Sequence, residues 1–160
     1  MVDPKRLRKD ELVSRGRVAL KSGRHRVAHE LFAEYCERQL AEEAPIPGPV
    51  LADYAVSVAY LGDLKEAAEI CFRALALDRR NADAYSALAR VYVLSGHRRK
   101  AIESLERGFA VSPRHPGLRA LRDEIGVRRN PMIPFLSRDN RFNIMLGKVL
   151  GRLRPRGKVA

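Results

Sequence analysis

Apolar residues recur at spacings of three and four along residues 9–127, and short breaks rich in glycine and charge interrupt them at regular intervals. That period is helical, because residues three and four apart share one face of an α-helix. It predicts helices near 9–22, 25–42, 48–61, 64–78, 82–95, 98–111 and 115–127. Local chemistry marks several ends. Asp63 followed by Glu66 reads as a capping box, Asn81 caps the helix that begins at Ala82, and Pro113 stops the helix before His115. In the last helix Leu118, Leu121 and Ile125 face inward, while Arg119, Arg122, Asp123 and Glu124 face outward as a solvating cap.

The pattern also repeats as a unit. Gly62 and Gly96 stand 34 residues apart, and the helical residues after each fall into register. Gly23 lies 39 residues before Gly62, and the extra five residues belong to a proline-rich loop from Ala44 to Pro49. Each unit is a pair of short helices, neither of which hides its apolar stripe alone, so the units must stack. Small residues (Ala55, Ala67, Ala89, Ala101) allow close helix approach, and larger ones (Phe32, Leu75, Tyr92, Leu105) fill the space between. Cys71 aligns with Phe32 and Leu105, and Cys36 with Leu75 and Phe109, which makes both cysteines core fillers.

The third unit carries Tyr85, Leu88, Ala89 and Tyr92, then Ala101 and Leu105, then Pro113. This spacing of large, small and turn residues resembles the tetratricopeptide repeat. The second unit fits with Leu51, Tyr54, Ala55, Val58, Ala67 and Cys71, but has Arg79 where the family has proline. The first fits at Leu12, Gly16, Ala19, Ala28 and Phe32, with Arg15 in place of an apolar residue. The resemblance implies an all-α solenoid of three helix pairs near 9–42, 48–81 and 82–115, with a capping helix at 115–127. A basic extension follows at 128–160.

The resemblance further implies a concave groove lined by the first helix of each pair, where a partner peptide lies. Its candidates are Ser14, Arg17 and Lys21, then Asp53, Val56 and Tyr60, then Asp83, Ser86, Arg90 and Leu94. Arg17 and Arg90 are expected to hold an acidic side chain or backbone carbonyls, and Tyr60 to supply an apolar contact. The subgroup that grips chaperone C-termini uses lysine, asparagine and arginine on these faces. This chain lacks the asparagines and places Asp53 where a carboxylate would be repelled, so that clamp is not expected.

Charge alters the picture at the two ends. The chain carries a net +12, with nine Lys/Arg against three Asp/Glu in residues 1–26 and nine against one in residues 128–160. Basic ends of this kind suit nucleic acid, acidic proteins or anionic membranes. In the extension, Asn130 to Ser137 contains two prolines and reads as extended. A helix near 140–153 then sets Phe142, Met145, Leu146, Val149, Leu150 and Leu153 on one face. Gly147 and Gly151 weaken it by about 1 kcal/mol each, so it needs a surface to pack on: its own domain, its own groove, a partner or a membrane. Phe135, that face and Arg152 form the candidate tail surface.

Catalytic chemistry finds no support. There is no phosphate-binding glycine loop, no nucleophile elbow and no catalytic carboxylate pair. His25 and His29 stand four apart on a helix, yet no third ligand follows at a recognised interval, so neither a metal nor another cofactor is expected. The N-terminus has no apolar run behind its charges and no stretch is long enough to span a membrane, which predicts a cytoplasmic chain. The leading expectation is a non-catalytic adaptor or chaperone-like scaffold binding a protein or peptide. The alternative is an electrostatic binder of nucleic acid, ribosomes or anionic membrane, with the repeats as scaffold. The oligomeric state is left open.

Overall fold

Among the described residues seven α-helices form where the apolar period places them: α1 (Lys9–Lys21), α2 (His25–Ala41), α3 (Gly48–Leu61), α4 (Leu64–Leu77), α5 (Ala82–Leu94), α6 (Arg98–Val111) and α7 (Pro116–Ile125). A 3-10 turn, Pro4–Arg6, precedes them. This computed structural model describes residues 3–126, all within one unit, Met1–Gly126. The basic extension, including Phe135, Phe142, Met145, Leu146, Val149, Leu150 and Arg152, lies outside the described residues.

The helix ends follow from particular side chains. The Asp63 carboxylate accepts from the Glu66 N–H at 2.9 Å, and the Asn81 side-chain oxygen accepts from the Ala84 N–H at 3.0 Å. Only the Asp63 half of the expected capping box is present among the described residues. At α1, Glu11 instead reaches back to accept from the Arg8 N–H at 3.0 Å. The second unit ends without proline. Asp78 accepts from the Arg80 N–H at 2.8 Å, a local turn that does the work Pro113 does after α6. The turns between paired helices pass through Gly23, Gly62 and Gly96, each at positive φ, where a β-carbon would be strained.

The pairs α1–α2, α3–α4 and α5–α6 pack as hairpins, and α3 on α5 and α5 on α7 continue the inner row. Alanines at the crossings (Ala55, Ala67, Ala74, Ala84, Ala101) are wholly buried, so the backbones approach closely. In the first pair Gly16 replaces alanine because the Phe32 ring fills the space. A β-carbon there would lie 2.7 Å from the ring. Phe32, Ile70, Leu105 and Leu118 are likewise fully enclosed. Both cysteines are buried, and burial pushes the Cys36 thiol up to about 11 and Cys71 up to about 12.

Candidate functional site

The inner helices α1, α3 and α5 present one face of the stack as a depression of about 530 Å³. It is lined by Arg17, Leu20, Lys21, His25, Asp53, Val56, Tyr60, Asp83 and Arg90. Seven of the ten groove candidates named from sequence therefore converge: Arg17, Lys21, Asp53, Val56, Tyr60, Asp83 and Arg90. Ser86 is placed elsewhere. Its hydroxyl oxygen lies 3.0 Å from where a β-carbon on Gly117 would stand, against the start of α7. Ser14 lines a different cleft, on the flank of α1 and α2, and Leu94 is outside the lining.

The two arginines expected to grip a ligand are already engaged. Arg17 Nε donates to Asp53 Oδ2 at 2.7 Å, bridging α1 to α3. Arg90 donates through Nη1 to both carboxylate oxygens of Glu124, at 2.5 and 2.7 Å, bridging α5 to α7. Asp83 meets His115 Nε2 at 2.9 Å, while Nδ1 of that ring accepts from the Leu118 N–H and caps α7. The cap fixes the tautomer, so Nε2–H donates to Asp83. Polar pairs from the groove lining thus tie α1 to α3 and α5 to α7. Burial holds the Asp53 carboxyl above its usual range, opposed by the Arg17 hydrogen bond and charge, while nearby Asp83 pushes the same way as burial.

These pairs revise the sequence expectation for Asp53. Its charge is answered by Arg17, so it is a strut between helices and not a bare repulsive site. The cation left without an ion pair among the described residues of the lining is Lys21, which is exposed. Beside it the His25 and Tyr60 rings stack with centroids 3.9 Å apart and planes within 9°. Tyr60 stays 38% exposed and, with Leu20 and Val56, gives the groove an apolar strip. His25 and Leu20 had no signal in the repeat alignment. His25 enters the groove because α2 starts where α3 ends, opposite Tyr60.

His29 sits against the Tyr54 ring, at 5.5 Å between centroids, so the two histidines are each spent on an aromatic neighbour. Among the described residues no group of three or more His, Cys, Asp or Glu side chains is placed to hold a metal ion. No helix among them is long and apolar enough to cross a membrane.

Residues 59–125 match the tetratricopeptide repeat family. No curated protein sequence matches the chain. Solved structures do resemble it. The Arabidopsis OM64 TPR domain has a TM-score of 0.58 at 14% identity, covering 74% of this chain and 93% of that one. The first TPR domain of human RPAP3 has a TM-score of 0.58 at 19% identity, covering 74% and 89%. The first TPR of Spaghetti (RPAP3), bound to the HSP90 peptide SRMEEVD, has a TM-score of 0.57 at 18% identity, covering 78% and 94%. Stacked helix pairs, glycine turns and alanine crossings agree with these likenesses: the described part of the chain has the all-α solenoid fold of these TPR domains, and residues 59–125 of it match the repeat family.

Proposed function

We propose that the protein is a non-catalytic interaction scaffold that holds a polypeptide segment in the groove of α1, α3 and α5. The observation that carries this reading is the convergence of Lys21, the His25–Tyr60 stack, Leu20 and Val56 in one open depression. Neighbours of the same fold were solved with peptides in complex, SRMEEVD of HSP90 and SGPTIEEVD of HSP70, which supports a peptide as the class of ligand. The ligand chemistry differs from the sequence expectation. Arg17 and Arg90 serve as internal struts, so an acidic group of the peptide pairs with Lys21 while an adjacent apolar side chain lies on Tyr60 and Val56. A peptide-display selection on the immobilised protein tests this. Enriched peptides should combine one acidic residue with a neighbouring large apolar one, and Lys21→Glu should abolish their binding. Enrichment that Lys21→Glu and Tyr60→Ala leave unchanged removes the groove from the function.

A second reading rests on charge. Residues 128–160 hold nine Lys/Arg against one Asp/Glu, which favours attachment to an anionic polymer or membrane by counterion release. Co-sedimentation with anionic vesicles and with RNA, for the full chain and one lacking residues 128–160, tests it. The reading requires binding that the truncation loses and that salt weakens.

A further inference from the structure

We infer a second docking surface on the flank of α1 and α2 that carries no α3 residue, suited to an amphipathic helix with an acidic flank from a partner protein. The two ends of the solenoid are finished differently. At the far end the ten residues of α7 seat on α5 and α6, burying Leu118 and Leu121 and adding the bonds of Arg90 to Glu124 and of Arg98 to the Ile125 carbonyl. At the near end, among the described residues, the first pair is covered by the turn Pro4–Arg6 and the following Leu7, held by Arg38. A cleft of about 350 Å³ is left there, with Leu7, Val18, Val27 and Leu31 in its lining. Leu7 and Leu31 are buried, but Val18 on the same cleft is 58% exposed. An apolar strip between two helices is the shape that receives a third.

Charge selects the occupant. Arg15 and Arg24 line the cleft and no acidic residue does. Among the described residues neither arginine has an ion-pair partner, and the Arg24 guanidinium donates to the Ser22 hydroxyl, at 3.0 Å. This also accounts for Arg15, the residue at odds with the repeat pattern: it stands at the rim of the cleft, where a cation is solvated. A second copy of the chain brings a net +12 to a cationic rim, which opposes self-association through this face. A helix whose leucines enter the cleft and whose flanking glutamates meet Arg15 and Arg24 satisfies both features.

The test uses the full chain and two designed amphipathic peptides, leucine-faced on one side, with glutamates on the other side in one and lysines in the other. NMR titration should show saturable shifts of Val18, Val27 and Leu31 with the glutamate peptide alone. Val18→Glu should weaken that binding at least tenfold, the pair Arg15→Glu and Arg24→Glu should transfer preference to the lysine peptide, and Lys21→Glu should leave it unchanged. These positions are exposed or half-exposed, and circular dichroism checks that each variant stays helical. Absence of saturable shifts, equal binding of both peptides, or indifference to Val18→Glu overturns the inference. So does a concentration-dependent dimer, seen by sedimentation, that Val18→Glu dissociates.

Discussion

Arg17 and Asp53, 36 residues apart, meet at 2.7 Å and join the first inner helix to the second across the groove floor. Asp53 is mostly shielded and Arg17 about half-exposed, so the contact orients the helices more than it stabilises them. Its consequence is a defined pH response. In the folded state burial raises the Asp53 carboxyl above its ordinary value of 3.8. Between that value and the folded value the native state therefore holds more protons than the unfolded one, and stability falls as pH rises through this window. Asp53→Asn removes that component. Urea midpoints followed upward from pH 3.5 should decline less in the variant than in the wild type in the window just above pH 3.8. Parallel profiles would contradict the raised carboxyl.

Gly16 stands in the middle of α1, where alanine is ordinarily better by about 1 kcal/mol. Here the 2.7 Å approach to the Phe32 ring reverses the sign, because the ring is wholly enclosed and cannot yield freely. Gly16→Ala should destabilise by about 1–3 kcal/mol in denaturant unfolding. A stabilised variant would show that Phe32 is not locked against α1.

Arg38 donates to the carbonyls of Pro4, Lys5 and Leu7 and pairs with Glu34 at 2.7 Å. Arg38→Ala should cost about 1–3 kcal/mol through lost charge-assisted bonds. Amide exchange and proteolysis should accelerate first in residues 4–8, ahead of α5 and α6. Uniform acceleration would mean that the turn is not held separately.

Cys36 and Cys71 should resist thiol reagents at pH 8 in the folded protein, since both are buried and their thiols are pushed up to about 11 and about 12. Labelling should follow global unfolding with urea. Rapid labelling of the native protein would place Cys36 outside the core.

The sequence made the fold legible wherever local chemistry and period agreed. Glycine turns, the Asp63 and Asn81 caps and the apolar stripes placed seven helices within a residue or two of their ends. The groove was legible only in part. Repeat register identified which side chains face it, and seven of ten line it, but register does not report what those side chains bond to. Arg17 and Arg90 looked like ligand-binding cations because their partners, Asp53 and Glu124, lie a repeat away, and pairs so separated leave no local pattern. Ser86 lies outside that lining for a related reason: the start of α7 stands against it, and the seating of a cap is set by packing and not by period. Glu124, read as a solvating residue, is instead half of the strut that ties the cap to α5.

The central claim is that a polypeptide lies along the inner face. A photo-crosslinking residue placed at Val56, on the groove strip, tests it directly against the same residue placed at exposed Phe72 on α4. In the native cell the Val56 position should give a discrete crosslinked polypeptide that Lys21→Glu removes, while the Phe72 position should not give it. Equal crosslinking from both positions, or a Val56 product insensitive to Lys21→Glu, would contradict the account.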